Sequence, residues 1–131
     1  MGLTWLGPSM RAVFDTNILV DHLNGIRAAA EELSRYQQPL ISPITWMEVM
    51  AGAVDDAERQ ALRQFLSAFE RAELSEVVME RAARLRSETR LRLPDAIILA
   101  TALCASLMLI TRNTKDFDTA AWPNIRVPYR V

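Results

Sequence analysis

The sequence predicts an α/β fold with a parallel sheet covered by helices. Short apolar segments of strand type alternate with longer segments whose apolar residues recur at helical intervals, an order typical of parallel sheets. The length of 131 residues corresponds to one domain with a substantial core. We therefore predict a single domain over residues 11–131, preceded by an N-terminal tail over residues 1–10.

The first half of the chain begins with a buried strand that runs directly into a helix. The strand is predicted over residues 11–15 and the helix over residues 16–23, with Asn24-Gly25 favouring a break after it. A second helix over residues 27–37 has alanines on one face. The apolar residues 39–41 then form a short buried strand.

Four further helices begin at residues that suit helix N-termini, either Ser or Asp caps or Pro at the first position. They are predicted at residues 43–52, behind Asp55, behind Ser75, and at residues 94–106. The last of them is almost wholly apolar, which predicts burial on most sides. Its Cys104 is expected to be a buried, inert thiol.

The C-terminal part supplies the remaining strands. Residues 107–111 are predicted as a buried strand and residues 112–118 as a polar turn. Residues 125–127, bounded by Pro123 and Pro128, are predicted as a final edge strand.

The composition restricts the class of protein. A net charge of −1 excludes a chain that coats nucleic acid over its whole surface, so contact with nucleic acid requires a local basic patch. One cysteine excludes an internal disulfide and most cysteine-based metal sites. The first ten residues lack the features of a signal peptide, and no apolar run is long enough to span a membrane. We expect a cytoplasmic protein.

Four acidic residues stand apart from the surface charges. Asp15 ends the first strand, Glu48 lies in an otherwise uncharged helix, Asp95 is the only charge of the apolar helix, and Asp116 follows the strand ending at Thr111. Each has a local alternative: a helix cap, a solvent-facing side chain, a first-turn acid favoured by the helix dipole, and a turn residue. Because parallel strands end at one edge of a sheet, we expect the four acids to converge there.

Converging carboxylates predict a bound cation. Two carboxylates ~5 Å apart repel each other by roughly 3 kcal/mol at an effective dielectric constant near 20, and protons or a cation must relieve that repulsion. A site built from oxygen ligands without histidine selects Mg²⁺ or Mn²⁺ rather than Zn²⁺. Such ions neutralise phosphate oxygens and activate a water for attack.

Four sequence blocks carry a resemblance to a known family. The chain resembles a PIN domain, and most closely the VapC-type ribonuclease toxins of bacterial toxin–antitoxin pairs. The blocks occur in the order and spacing of that family and cover the chain from about residue 11 to residue 127. They are Val-Phe-Asp-Thr-Asn at 13–17, Ile-Ser-Pro-Ile-Thr-Trp-Met-Glu at 41–48, Leu-Pro-Asp-Ala-Ile-Ile-Leu-Ala-Thr-Ala at 93–102, and Leu-Ile-Thr-Arg-Asn-Thr-Lys-Asp-Phe at 109–117.

The resemblance implies a three-layer α/β/α domain that hydrolyses RNA phosphodiester bonds with Mg²⁺ or Mn²⁺, forms homodimers and is inhibited by a small antitoxin. Asp15, Glu48 and Asp95 match the three standard metal-binding acids of the family. The fourth position falls on Asp116, with Asn113 and Asp118 as the alternatives. The residues that match supporting polar positions are Thr16, Asn17, Thr111 and Asn113.

In the mechanism implied by the resemblance, Asp15, Asp95 and Asp116 hold the metal. Glu48 either completes the metal shell or orients the attacking water, and the sequence leaves open whether one or two ions bind. The basic residues expected to bind RNA are Arg112, Lys115, Arg90 and Arg92. For Arg90 and Arg92 a solvated helix face is the alternative.

A non-catalytic PIN-like module that recruits RNA or a protein partner is the main alternative function. The presence of all four acids argues against it, because degenerate members of the family lose them. The apolar helical surface over residues 49–66 predicts a homodimer contact, an antitoxin groove, or both.

Overall fold

The computed structural model describes residues 11–131, and the predicted N-terminal tail lies outside the described residues. The strands are β1 (Arg11–Phe14), β2 (Gln38–Ile41), β3 (Glu70–Arg71), β4 (Leu109–Ile110) and β5 (Ile125–Arg126). The helices are α1 (Thr16–Leu23), α2 (Arg27–Ser34), α3 (Pro43–Met50), α4 (Asp56–Leu66), α5 (Glu76–Glu88) and α6 (Leu93–Ala105).

The strands form one parallel sheet in the order β3-β2-β1-β4-β5. Strand β1 lies at its centre, where Val13 is in register with Leu40 of β2 and with Leu109 of β4. Every pairing in the sheet is parallel. The predicted central parallel sheet is confirmed.

Helices cover both faces of the sheet because successive β1 side chains point to opposite sides. Val13 packs into a core with apolar residues of α5 and α6, whereas Ala12 and Phe14 pack into a second core with apolar residues of α1, α2 and α4. These two cores separate three layers, as the α/β/α prediction requires. Helix α6 is almost wholly apolar, and most of its length is buried in the first core.

The helix starts follow the predicted caps. Asp15 caps α1, and Ser42 caps α3 by accepting a hydrogen bond from the backbone N–H of Ile44. Asp55 and Ser75 cap α4 and α5 in the same way. A side-chain acceptor at each of these positions satisfies an otherwise unpaired N–H of the first turn.

Four features differ from the sequence-based expectations. Strand β4 covers only Leu109–Ile110, whereas residues 107–111 were predicted as a strand. The edge strand β3 was not predicted, because its two residues are charged and exposed and show no apolar pattern. Helix α2 ends at Ser34, because the chain must turn before Gln38 enters β2. The prediction that Cys104 is buried is wrong: Cys104 is exposed, because it lies in the last turn of α6, where that helix reaches the surface.

The strand order creates a reversal point between β1 and β4. From β1 the chain moves outward to β2 and β3, then returns to place β4 on the opposite side of β1. Ligands of open parallel sheets bind outside the carboxyl ends of the strands at such a point. Asp15 and Thr111 are the first residues after β1 and β4, so both lie there. None of the helices in the described part of the chain has the length and apolar character needed to cross a membrane.

Candidate active site

Asp15 is buried at the carboxyl end of β1, with only 5% of its surface exposed. One carboxylate oxygen accepts the backbone N–H of Thr16 at 2.8 Å. The other accepts the hydroxyl of Thr111 at 2.7 Å and the side-chain amide of Asn17 at 3.3 Å. Burial raises the pKa of Asp15, while the Thr111 hydrogen bond acts in the opposite direction. Three donors therefore fix this carboxylate in one orientation.

Glu48 lies on α3 and is exposed, and a chain of hydroxyl groups holds it. The hydroxyl of Thr16 donates to Oε1 of Glu48 at 2.6 Å and lies 3.0 Å from the hydroxyl of Thr45. A carboxylate accepts only, so the single proton of Thr16 points to Glu48 and the proton of Thr45 points to Thr16. Thr45 is fully buried. The negative charge of Glu48 also raises the pKa of Asp15, which places the two acids in one electrostatic environment.

Asp95 lies in the first turn of α6 and is partly buried. Burial is the largest cause that raises its pKa, to about 6, followed by the charges of Asp15, Asp116 and Glu48. The charge of Arg92 acts in the opposite direction. The charges of the three other acids thus act on Asp95, although these acids come from separate segments of the chain. The four predicted acids therefore lie in one region of the molecule.

The loop after β4 offers Asn113, Asp116 and Asp118 for the fourth position. The side-chain amide of Asn113 donates to Asp116 at 2.9 Å, and the N–H of Asp116 donates back to Asn113 at 3.1 Å. Asp118 instead accepts the N–H of Ala120 at 2.9 Å in the following turn. The charge of Asp116 raises the pKa of Asp95, and Asn113 holds the Asp116 side chain, so Asp116 remains the predicted fourth acid.

The donor set of the four acids suits a hard divalent cation. Within residues 11–131, no group of three or more His, Cys, Asp or Glu side chains is arranged to hold a metal ion. The four acids offer oxygen ligands alone, which is the preference of Mg²⁺ and Mn²⁺. The chemistry of these residues therefore fits the predicted metals.

The four basic residues predicted to bind RNA differ in their surroundings. Arg90, Arg92 and Lys115 are exposed, and Arg92 forms the N-terminal boundary of α6 beside Asp95. Arg112 is engaged within the protein, because its guanidinium donates to both carboxylate oxygens of Asp21 at 2.5 and 2.9 Å. Of these four residues, Arg90, Arg92 and Lys115 therefore carry exposed positive charges, whereas Arg112 is paired with a buried carboxylate.

Thr45 and Asp21 contact predicted site residues, Thr16 and Arg112, but were not themselves predicted. Thr45 precedes Glu48 by three positions, and this spacing places both on one face of α3, a signal that the sequence offered. Asp21 meets Arg112 across 91 positions of the chain, and no local pattern indicates that pairing.

An apolar groove of about 440 Å³ lies beside Glu48, between α1, α3 and α4. Val20 and Leu23 are 39% and 43% exposed there, and Glu58 adds a second acid to the lining that Glu48 begins. We call this feature the α1–α3–α4 groove. Its lining residues are Val20, Leu23, Asn24, Glu48, Val49, Gly52, Glu58 and Leu62.

Comparison with known sequences gives consistent matches along the chain. Residues 12–123 match the family model described as PIN domain. Ribonuclease VapC10 of Mycobacterium tuberculosis is 32% identical over 124 residues, which cover 89% of this chain and 92% of the relative. Ribonuclease VapC19 of the same species is 32% identical over 126 residues, which cover 89% of this chain and 98% of the relative.

Solved structures of toxin–antitoxin proteins also resemble this chain. A chain of a toxin–antitoxin complex from Klebsiella pneumoniae superposes with a TM-score of 0.84 and 49% identity, covering 92% of this chain and 99% of that one. VapBC2 from Rickettsia felis, bound to a DNA fragment from its promoter, superposes with a TM-score of 0.71 over 88% of this chain and 96% of that one. At 23% identity, the second similarity concerns the fold alone.

Proposed function

The chain belongs to the PIN-domain family and, within it, to the VapC ribonucleases, and from this membership we propose that it is a metal-dependent endoribonuclease acting as the toxin of a toxin–antitoxin pair. One observation supports the catalytic part of the proposal most directly. Asp15, Glu48, Asp95 and Asp116 come from four separate segments, and the charges of the other three all raise the pKa of Asp95. Such a cluster of acids is costly unless a cation uses it.

Asp15, Asp95 and Asp116 are the residues that we propose to hold Mg²⁺ or Mn²⁺. A bound divalent ion supplies neutralisation of the phosphate oxygens and lowers the pKa of a bound water. The protein contributes the arrangement of the ligands. Asp15 is fixed by three donors, whereas Asp116 lies on a loop held by Asn113 and by the buried side chain of Phe117.

Glu48 is the residue that we propose to orient the attacking water. The hydroxyl of Thr16 fixes its Oε1 at 2.6 Å, and its Oε2 accepts no hydrogen bond from any residue of the described chain. An exposed carboxylate with one oxygen fixed and the other open can accept a proton from a water next to the scissile phosphate. The first turn of α1 thus supports both Asp15 and Glu48.

The RNA backbone is proposed to follow the exposed cations around this cluster. Arg92 lies beside Asp95, Lys115 precedes Asp116, and Arg90 extends the same positive segment. Phosphate contacts with such residues position a strand without reading its sequence. The cleavage sequence is therefore expected to depend on other surfaces around the acids.

The antitoxin is proposed to occupy the α1–α3–α4 groove. The relative from Klebsiella pneumoniae is described as a toxin–antitoxin complex, which makes a protein partner the expected occupant of an exposed apolar surface. Val20 and Leu23 suit the apolar face of a helix, while Glu48 and Glu58 favour a basic residue on the partner. A partner in this groove reaches Glu48 and so blocks the access of RNA.

The direct test of the catalytic proposal is RNA cleavage by purified protein free of antitoxin. We expect cleavage with Mn²⁺ or Mg²⁺, its loss on chelation with EDTA, and its loss in Asp15→Asn and Asp95→Asn. Glu80→Gln, which removes an exposed acid of α5, is the matched control and should keep full activity. Wild-type protein that binds RNA but never cleaves it would instead support a non-catalytic binding module.

A further inference from the structure

Asp21 is a buried carboxylate that the proposed mechanism does not use. Asp21 is only 5% exposed. Its carboxylate accepts two hydrogen bonds from the Arg112 guanidinium and one from the hydroxyl of Tyr129 at 2.9 Å. These bonds hold the pKa of Asp21 below its ordinary value, with the Arg112 hydrogen bond as the largest cause. The Arg112 side chain is 33% exposed, and desolvation of Asp21 offsets much of the attraction, so this ion pair is a weak source of stability. Its value to the protein therefore lies in the geometry that it fixes.

That geometry connects α1 to the loop that carries Asp116. Asn17 and Asp21 are one helical turn apart on α1 and therefore lie on one face. The side-chain oxygen of Asn17 accepts the backbone N–H of Arg112 at 3.4 Å, while Asp21 accepts from its guanidinium. Two positions of one helix thus bind both the backbone and the side chain of a single loop residue.

Arg112 is flanked by residues of the candidate active site. The hydroxyl of Thr111 donates to Asp15 at 2.7 Å and accepts the N–H of Asn113 at 3.0 Å. Asn113 in turn holds Asp116. A displacement of Arg112 would therefore change both the support of Asp15 and the place of the fourth acid.

We propose that Asp21 is a positioning residue of the ribonuclease site, which acts through Arg112 to hold the loop of residues 111–116 at the acids. The inference rests on the proposed function, and it revises the expectation that Arg112 binds RNA. Arg112 is the internal anchor of the loop, whereas the neighbouring Lys115 is the cation directed at the substrate. Tyr129 adds a hydrogen bond from the C-terminal segment, so the anchor joins three distant parts of the chain.

The test compares three variants of the anchor with one variant of the same loop outside the anchor. Asp21→Asn keeps the shape of the side chain but removes the charge that binds the guanidinium. Arg112→Gln removes the guanidinium, and the double variant removes both. Lys115→Gln is the matched control, since it removes a positive charge from the same loop without touching the anchor. The measured quantities are kcat, KM for RNA, and the dissociation constant of Mn²⁺ determined by electron paramagnetic resonance without RNA.

Loss of an outer residue that orients metal ligands typically costs about tenfold or more in metal affinity or activity. We expect Asp21→Asn and Arg112→Gln each to lower kcat and weaken Mn²⁺ binding by about tenfold, with KM changed less than about twofold. The double variant should be no worse than either single variant, because both remove one interaction. Lys115→Gln should raise KM and leave Mn²⁺ binding unchanged.

The proposal is overturned if folded Asp21→Asn keeps the kcat and Mn²⁺ affinity of the wild type, or if Arg112→Gln raises KM alone as Lys115→Gln does. Should Asp21→Asn fail to fold by circular dichroism, Arg112→Lys carries the same test, since it keeps the charge but loses the paired hydrogen bonds. Reduced kcat in Arg112→Lys then supports the proposal and unchanged kcat overturns it. Wild-type protein without ribonuclease activity would defeat the proposed function itself, a result distinct from these.

Discussion

The hydroxyl of Thr16 donates a 2.6 Å hydrogen bond to Glu48, joining two residues that lie 32 positions apart in the sequence. The backbone N–H of the same threonine donates to Asp15 at 2.8 Å. One residue at the start of α1 thus binds two acids from different elements. Thr16 therefore holds Asp15, which follows β1, and Glu48 of α3 in fixed relative positions, through its backbone N–H and its side chain.

Thr45 should influence catalysis through this hydrogen bond, although it cannot contact the substrate. Thr45→Val keeps the shape of the side chain and removes the buried hydroxyl that donates to Thr16. A hydrogen bond of this kind is worth about 1 kcal/mol, so we expect kcat to fall about fivefold. The measurement is steady-state cleavage of RNA with Mn²⁺. Thr45→Ser retains a hydroxyl and should keep most of the activity; equal rates for the valine variant and the wild type would contradict the hydroxyl chain.

Asp95→Asn should stabilise the metal-free protein in a pH-dependent way. Burial and the neighbouring acids raise the pKa of Asp95 from 3.8 to about 6, so the folded state favours its protonated form. Stability associated with a raised pKa is present at low pH and is lost as the pH rises through the folded value. Because Asp95 is partly exposed and solvent screens its charge, we expect Asp95→Asn to gain only about 1 kcal/mol at about pH 8.

The measurement is urea unfolding in EDTA at several pH values. The gain of Asp95→Asn over the wild type should shrink toward about pH 4, where the wild-type carboxyl is protonated in the folded state. If Asp95→Asn gains the same free energy of unfolding at every pH, or is less stable than the wild type at about pH 8, the other acids do not destabilise the charged form of Asp95.

The exposed cations should contribute to RNA binding and to its salt dependence. Arg92→Gln and Lys115→Gln each remove a charge beside the acids, and one contact with a single-stranded phosphate contributes about 0.7 to the slope of log affinity against log salt. We expect each substitution to reduce that slope by about 0.7. The measurement is RNA affinity at several salt concentrations in the Asp15→Asn background, which prevents cleavage. Arg84→Gln, on the exposed face of α5, is the control; a slope reduced equally by this variant would argue against a local site.

The α1–α3–α4 groove should determine the affinity for the antitoxin. Leu23→Glu places a charge on a groove residue that is 43% exposed. A carboxylate introduced among apolar interface residues must lose its hydration on binding, so we expect the dissociation constant of the cognate antitoxin to rise by at least about tenfold. The measurement is isothermal titration calorimetry. Met79→Glu alters an equally exposed apolar residue of α5 outside the groove, and comparable weakening by both variants would place the antitoxin elsewhere.

The elements with strong local signals were predictable from the sequence. The boundary between β1 and α1 coincides with Asp15, which both ends an apolar strand and caps a helix, so one residue determines two boundaries. Serine and aspartate caps likewise predicted the starts of α3, α4 and α5, because their side chains accept hydrogen bonds from the first turn of each helix. Strand β3 carries no such signal, because it exists only through its pairing with β2.

In the candidate site, too, local sequence patterns reveal some residues, whereas contacts between residues far apart in the sequence cannot be predicted from them. Asp15, Glu48 and Asp95 stand out in the sequence because each lies in or beside an apolar segment, and Asp116 stands out because it follows the strand that ends at Thr111. The fold class then predicts that the ends of the parallel strands meet at one edge of the sheet. The sequence does not reveal the partner of Arg112, because its pairing with Asp21 depends on how α1 lies against the loop after β4. The positive charge of Arg112 suggested a contact with RNA, whereas in the structure its guanidinium donates hydrogen bonds to the buried carboxylate of Asp21.

The central claim is that four separated carboxylates form one site for a divalent cation. Titration of the purified protein with Mn²⁺, followed by electron paramagnetic resonance, tests it most directly. We expect the wild type and the Glu80→Gln control to bind Mn²⁺ alike, and Asp15→Asn and Asp95→Asn to bind it at least about tenfold more weakly. Equal Mn²⁺ affinity in all four proteins, or no binding by the wild type, would contradict the account.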